Sequence, residues 1–207
     1  MSPYAYLAST RIDAIGAAHE RAVAWKPVLI GITVMQVMGL KPLMDTPLKG
    51  DYIAKDKPRL ARLLGVPLVQ RDMKGVNSVA ALRAFVWLKQ RDAAQAKRFA
   101  QSVFAQLWAR GEDITAPDDV RKACAAAGIE AGEVLAAIAT PDVKLALRTA
   151  VDEAIADGVF GTPYVIADGE AFWGVDRLWM LEHWLTHRSW DPPAAAPGGA
   201  ALPWRPC

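Results

Sequence analysis

The sequence predicts an α/β fold with an inserted all-helical domain, on three observations. Residues 22–30 (AVAWKPVLI) form an apolar run typical of a buried strand, and residues 159–167 form a second β-rich run. Asp168-Gly169 is a strong hairpin turn, so residues 170–173 are predicted to form a short return strand. Helical patterns fill the chain between the first strand and the second. The order corresponds to a βαβ half and a ββα half separated by helices, with the first β missing.

The elements before the insertion are predicted from capping residues and helix breakers. Ser2 is a good helix N-cap and Pro3 suits the first helical position, so we predict a helix over residues 2–19. Residues 31–56 contain several prolines and glycines and are predicted to be irregular. A short helix is then predicted over residues 57–64, with Lys57-Pro58 at its start.

Helical periodicity dominates the middle of the chain. Residues 78–108 predict one or two long helices, because two sets of apolar residues recur every four positions on adjoining stripes: Phe99, Val103 and Leu107, and Ala100, Phe104 and Trp108. Capping residues predict three further helices, which begin near residues 115, 131 and 140. After the hairpin, Asp176 is predicted to cap a last helix that runs to about Thr186.

Composition excludes several classes of function. With 207 residues, 53% hydrophobic and a net charge of +2, the chain can bury one core and offers no strongly basic surface for nucleic acid or anionic membranes. No run reaches the roughly 18 apolar residues that a membrane span needs. The two cysteines have no CxxC or metal spacing, so we expect no metal site, a small-core role for Cys124 and a cytoplasmic location.

The chain divides into four predicted parts. An α/β domain is expected to comprise residues 1–67 and residues 158–190, and the helical insertion is expected to comprise residues 68–157. Residues 191–207 are rich in proline, alanine and glycine and are predicted to be a disordered tail.

Residues 158–178 (GVFGTPYVIADGEAFWGVDRL) resemble the end of the DsbA-like thioredoxin superfamily. Within it they are most similar to 2-hydroxychromene-2-carboxylate isomerases and kappa-class glutathione transferases. Further segments agree in the same order: residues 2–8, residues 47–52 with Asp56, and residues 108–115 with residues 139–141. The resemblance covers residues 2–186 and implies a thioredoxin-like fold, glutathione as cofactor and a homodimer.

Ser2 has two interpretations, which are compatible. It can serve only as a helix cap, or its hydroxyl can also donate to a bound glutathione sulfur and keep that sulfur ionised, which is the role the resemblance implies. A dithiol oxidoreductase needs a CxxC at this helix start, whereas residues 2–5 here are Ser-Pro-Tyr-Ala. The reactive thiol must therefore come from outside the chain.

The resemblance implies further contacts with glutathione. Pro163 is expected to follow a cis bond, so that Thr162 offers its backbone to the ligand; alternatively, Pro163 is an ordinary trans proline at a strand edge. Lys49 is expected to meet a glutathione carboxylate, or else to be a solvated loop lysine. The γ-glutamyl end is assigned to four consecutive residues: Trp173, Gly174, Val175 and Asp176.

Two departures from the family pattern concern the acceptor pocket. Gly39-Leu40 stands where the kappa-class pattern has an asparagine after glycine, and Met35 stands where the isomerases carry a substrate-contacting lysine. The loop is instead rich in large apolar residues, namely Met35, Val37, Met38, Leu40 and Met44. The resemblance implies that the general glutathione site is kept, and the apolar loop predicts a more hydrophobic acceptor pocket than in the resembling enzymes.

These residues predict a glutathione-dependent isomerase of the 2-hydroxychromene-2-carboxylate type that acts on a small aromatic catabolite. Two alternatives remain open: a kappa-type glutathione transferase, and a non-catalytic thioredoxin-fold binding protein or chaperone. Product analysis separates the first alternative, and calorimetry with glutathione separates the second.

An N-terminal strand is also expected. In the resembling family an apolar strand runs directly into the Ser-Pro segment and pairs with the strands predicted at residues 22–30 and 159–167. Buried strands without ladder partners leave costly unpaired backbone groups. We therefore expect the native protein to extend beyond Met1. Sequencing upstream of the Met1 codon tests this: an in-frame start before codons for an apolar strand supports it, and an immediate stop codon contradicts it.

Overall fold

The computed structural model describes residues 1–191, so the predicted disordered tail lies outside the described residues except for Asp191. Within that range the structure is mainly helical and contains one two-stranded antiparallel sheet. The α-helices are α1 (Pro3–Ser9), α2 (Ile12–Ala18), α3 (Lys49–Leu64), α4 (Val79–Lys89), α5 (Ala93–Phe104), α6 (Pro117–Ala126), α7 (Ala131–Ala137), α8 (Pro141–Ala156) and α9 (Leu178–His187). The strands are β1 (Tyr164–Ala167) and β2 (Glu170–Trp173). No helix in this range is long and apolar enough to cross a membrane.

The N-terminal helix is broken into two short helices, where one had been predicted. At the break, the hydroxyls of Ser9 and Thr10 donate to the carbonyls of Tyr6 and Leu7 over 2.6 and 2.7 Å. Such local bonds compete with the helical ladder. Arg11 then reaches across to the Leu64 carbonyl at 2.7 Å, which fixes the turn against the end of α3.

The strand predicted at residues 22–30 is wrong. Residues 21–29 have no regular structure, and the chain turns into a π-helical segment at Gly31–Val37. A strand needs a ladder partner, and in the described residues β1 pairs only with β2. An apolar cavity of about 660 Å³ is lined both by residues 22–28 and by β1, and no ladder pairs the two segments.

Helix α3 begins eight residues earlier than predicted, because Pro58 lies inside the helix and not at its start. An interior proline leaves the carbonyl four residues before it without an intrahelical donor. Here that carbonyl belongs to Ala54, and the Gln70 side chain donates to it over 3.2 Å. The bond from beyond the helix end explains why the helix continues through the proline.

The central helices follow the sequence prediction closely. The predicted residues 78–108 form α4 and α5, followed by a π-helical segment at Ala105–Ala109. The Asp92 side chain caps α5 by accepting from the backbone N–H groups of Ala94 and Gln95 at 2.8 and 3.0 Å. Of the large residues of the two predicted stripes, Phe104 is partly buried and the others are buried in the core: Phe99, Val103, Leu107 and Trp108. Thr140 caps α8 as expected, and Cys124 is a buried core residue.

The predicted hairpin is confirmed. Asp168 and Gly169 form its turn with φ of 53° and 88°, the conformation that a two-residue hairpin turn requires. The register pairs Val165 with Phe172, whose side chain is buried, while the next pair along belongs to the opposite face. The fold class is thus α/β, as predicted, with helices inserted before the hairpin.

Gln106 connects the end of the α5 region to the start of α6. Its side chain is fully buried, and Nε2 donates to the Asp113 carbonyl at 2.6 Å and to the Asp119 carbonyl at 3.3 Å. Both carbonyls lie in segments that precede or begin α6. The amide therefore holds the loop between the two helices in place.

We expect Gln106→Ala to lower the free energy of unfolding by about 2–4 kcal/mol, because it removes the hydrogen bonds to the Asp113 and Asp119 carbonyls and opens a cavity in the core. The control is Gln101→Ala on the exposed face of α5, which should change stability by less than about 0.5 kcal/mol. Urea unfolding followed by circular dichroism measures both. Equal midpoints for the two variants would contradict this role for Gln106.

Candidate functional site

Ser2 lies where the first turn of α1 meets the loop before β1. Its Oγ accepts from the Ala5 backbone N–H at 3.3 Å, which is the predicted helix cap. The same hydroxyl donates to the Thr162 carbonyl at 3.1 Å. The structure therefore brings two of the predicted site residues together although they are 160 positions apart.

The bond between Thr162 and Pro163 is cis, as the resemblance implied. The Pro163 carbonyl accepts from the Gly174 N–H at 3.0 Å, so the segment after β2 is held against this loop. Thr162 also has a buried Oγ1 with no hydrogen-bond partner among the described residues. The loop thus connects Ser2 on one side with Gly174 on the other.

Only glycine fits at position 174, because of its backbone conformation and the nearby Asp176 side chain. Its φ of 110° is a conformation that L side chains rarely adopt, and a Cβ at this position would lie 2.3 Å from Asp176 Oδ1. Val175, the next residue, is buried and anchors the segment in the core. The four residues predicted to bind a γ-glutamyl group therefore form one backbone segment beside Pro163.

The prediction that Asp176 caps the last helix is wrong. Helix α9 begins at Leu178 after a 3₁₀ turn, Arg177 occupies the N-cap position, and no side chain caps it. The Asp176 carboxylate instead pairs with Arg177 at 2.8 Å and remains more than half exposed. An exposed carboxylate is available to a ligand in a way that a capping carboxylate is not.

Tyr4 and Tyr52 meet on the carboxylate of Asp56. Tyr4 Oη donates to Asp56 Oδ2 at 2.8 Å, and Tyr52 Oη donates to Oδ1 at 3.2 Å. Burial raises the pKa of Tyr4, and the hydrogen bond to Asp56 together with the nearby charges of Asp56 and Asp176 raise it further. Tyr4 is therefore a neutral hydrogen-bond donor that joins α1 to α3.

This cluster was missed from the sequence as a set of functional residues. Asp56 and Tyr52 were noted only as part of a matching segment, and Tyr4 only as part of the Ser-Pro motif. Their spacing within α3, four positions apart, indicates a shared helix face, but nothing local indicates that Tyr4 joins them.

Lys49 is the first residue of α3 and is exposed. It lies three and seven positions before Tyr52 and Asp56, which places the three residues on one face of the helix. The structure does not bring Lys49 into contact with Ser2. Its predicted contact with a glutathione carboxylate stays a prediction.

The apolar loop side chains predicted for an acceptor pocket are all exposed: Met35, Val37, Met38, Leu40 and Met44. None of them lines the cavity that Ser2 borders. Among the described residues no cluster could hold a metal ion. Burial raises the pKa of the Cys124 thiol to about 11, so this cysteine is not a reactive thiolate near neutral pH.

Comparisons with known proteins show the family to which this chain belongs. The model of the DSBA-like thioredoxin domain matches residues 1–186. Glutathione S-transferase kappa 1 of Homo sapiens is 29% identical over 204 residues, which cover 93% of this chain and 90% of the human protein. The 2-hydroxychromene-2-carboxylate isomerase of Sphingobium xenophagum is 26% identical over 188 residues, which cover 89% of this chain and 93% of that protein.

A solved structure agrees with these relatives. The structure of a 2-hydroxychromene-2-carboxylate isomerase superposes with a TM-score of 0.80 at 24% identity, covering 90% of this chain and 91% of the other. The fold is therefore shared along nearly the whole of both chains. The relatives are enzymes, both isomerases and glutathione transferases.

We expect Asp56→Asn to lower the pKa of Tyr4 part of the way toward its ordinary value, because the carboxylate's hydrogen bond and charge are lost while burial remains. A raised pKa in the folded state stabilises the protein below the unfolded value of about 10, and this contribution is lost as pH rises further. Stability falls from about pH 10 up to the folded-state pKa of Tyr4, so in the variant the fall should end at a lower pH and be smaller in total than in the wild type.

Tyrosinate absorbance during alkaline titration measures the change, and Tyr4→Phe identifies which of the four tyrosines is responsible. Asp51→Asn is the matched control, since it removes the same charge from an exposed position in the first turn of α3. An identical titration for Asp56→Asn and Asp51→Asn would refute the assignment.

Proposed function

Because this chain belongs to the DSBA-like thioredoxin family, we propose that it is a glutathione-dependent isomerase of the 2-hydroxychromene-2-carboxylate type. The observation that carries the proposal is the position of Ser2. Its hydroxyl lies between the Ala5 N–H and the Thr162 carbonyl, beside the cis Thr162–Pro163 bond. A redox enzyme of this fold needs a thiol at that position, and here the helix begins with a hydroxyl.

Ser2 would exchange hydrogen-bond partners when glutathione binds. The hydroxyl would turn from the Thr162 carbonyl to the sulfur, where donation favours the ionised form. The Thr162 carbonyl would then accept from an amide N–H of the tripeptide. The residues present fit this ligand, since breaking the Ser2–Thr162 hydrogen bond frees the Ser2 hydroxyl as a donor and the Thr162 carbonyl as an acceptor.

The charged ends of glutathione fit residues on either side. The exposed Asp176 carboxylate is suited to the ammonium of the γ-glutamyl end, with Trp173, Gly174 and Val175 forming the backbone that holds it. Lys49 is suited to a carboxylate from the first turn of α3. The hydrogen bond from Tyr4 to Asp56 holds α1 against α3, the helix that carries Lys49.

When bound, glutathione supplies a thiolate that adds to a conjugated aromatic catabolite, permits rotation about the former double bond and leaves unchanged. The protein's part is to keep the sulfur ionised at Ser2 and to orient both molecules. We also propose that the enzyme acts in the cytoplasm as a homodimer on a small aromatic substrate.

The second candidate is a kappa-type glutathione transferase, which the 29% identity to the human enzyme favours. The same site would serve, but the sulfur would stay bonded to the product. Product analysis separates the two, because an isomerase returns glutathione and a transferase consumes it. If calorimetry detects no binding at millimolar glutathione, both enzyme proposals fail and a non-catalytic binding protein remains.

We expect Ser2→Ala to lower kcat/KM by about 10- to 100-fold and to raise the pKa of the bound thiol by about one to two, since one hydrogen bond to a charged group is lost. The ultraviolet absorbance of the thiolate, followed against pH with bound glutathione, measures the second effect. Steady-state kinetics measures the first.

Two matched variants separate the hydroxyl donor from the helix cap. Ser2→Thr keeps both, and Ser2→Asp keeps a capping oxygen but cannot donate and adds a negative charge. Activity in the threonine variant and loss in the aspartate variant support the proposal. Equal activity in both would show that Ser2 acts only as a cap.

A further inference from the structure

A group of three aromatic side chains, two of them exposed, lies beside the loop that carries Thr162. Phe160 packs edge-on against Trp173 with ring centroids 4.9 Å apart, and against Tyr164 at 5.3 Å. Trp173 is 54% exposed and Phe160 41% exposed. We call these three residues the aromatic platform. Large aromatic side chains usually bury most of their surface, so exposure of two together requires an explanation.

The hairpin register explains why the platform is not part of the core. Tyr164 pairs directly with Trp173, so the two side chains lie on the same face of the hairpin. The neighbouring pair, Val165 and Phe172, lies on the opposite face, where Phe172 is buried. The hairpin thus contributes one face to the core and leaves the aromatic face open.

The platform adjoins the Ser2 site. The Nε1 edge of Trp173 lies so close to Gly161 that a Cβ at that glycine would be 2.4 Å from it. Gly161 directly precedes Thr162, whose carbonyl accepts from Ser2 Oγ at 3.1 Å. On the other side of Trp173, Gly174 donates to the Pro163 carbonyl at 3.0 Å. Trp173 is thereby fixed between both ends of the loop.

We propose that the aromatic platform binds the flat aromatic ring of the acceptor, with Trp173 as the residue that determines specificity. This inference rests on the proposed function, in which only the backbone of Trp173 belongs to the γ-glutamyl site, and it adds the side chains that would hold the ring of the aromatic substrate. Aromatic rings favour offset or edge-on contacts with other rings over contacts with flexible alkyl chains. The platform presents such contacts one residue from the loop position that bonds to Ser2.

The test compares two glutathione derivatives of similar apolar size on the full chain, using calorimetry. S-benzylglutathione carries a ring and S-hexylglutathione carries an alkyl chain. The wild type should prefer the benzyl derivative, and Trp173→Ala should reduce the ratio of the two Kd values by about 3- to 10-fold. Any general loss of affinity for the tripeptide affects both ligands and cancels in the ratio.

Three further variants complete the design. Trp173→Phe should keep most of the preference, and Phe160→Leu, which retains apolar volume without a ring, should lose part of it. Trp190→Ala is the matched control, because Trp190 is also exposed but packs against Trp184 and Phe172, away from Ser2. It should leave the ratio unchanged. Phe160→Leu keeps the inference testable should Trp173→Ala fail to fold.

The outcomes distinguish this inference from the proposed function. If unmodified glutathione does not bind, the proposed function fails. If glutathione binds but the ratio is the same in the wild type, Trp173→Ala and Trp190→Ala, the platform is not the acceptor site. If Trp173→Ala instead dissociates a dimer in sedimentation experiments without changing the ratio, the platform is a subunit interface and the inference is overturned.

Discussion

The hydrogen bond from Ser2 Oγ to the Thr162 carbonyl is the interaction on which the rest of the site depends. It joins the first turn of α1 to the loop before β1, two segments from opposite ends of the described chain. The same hydroxyl caps α1, so the bond that orients the helix also orients the loop. The backbone bond from Gly174 to Pro163 then extends this arrangement to the segment after β2. Each predicted ligand contact on the hairpin side is therefore positioned relative to one serine.

Two tyrosines donate to the Asp56 carboxylate, and one of them, Tyr4, lies in the helix that Ser2 caps. A site that holds a thiolate is expected to avoid nearby negative charge, yet Asp56 and Asp176 both act on Tyr4. Two phenolic donors satisfy the Asp56 carboxylate, and Arg177 pairs with Asp176. These partners reduce the negative field without removing it. An ammonium group on a ligand would pair with the exposed Asp176 carboxylate, which is consistent with the γ-glutamyl end of glutathione in the proposed function.

Local chemistry made part of this structure predictable. The Ser2 cap and the Asp168-Gly169 hairpin depend on residues close in sequence, and both were predicted correctly. The errors came where a distant group decides the outcome. Pro58 looked like a helix start because the side chain that satisfies Ala54 comes from Gln70, beyond the helix end.

Tertiary context also explains the two remaining differences. Residues 22–30 are apolar enough for a strand, but a strand forms only against a partner, and in the described residues none lies beside them. The Tyr4–Asp56 bond spans 52 positions, so no spacing rule indicates it. The hairpin, in contrast, follows a local rule, since successive side chains of a strand point to opposite faces. Because alternation fixes which side chains face the core, burial of Phe172 requires that Trp173 face away from it, beside the loop that Ser2 holds. A stability requirement on one residue thus places its neighbour where it can meet a substrate.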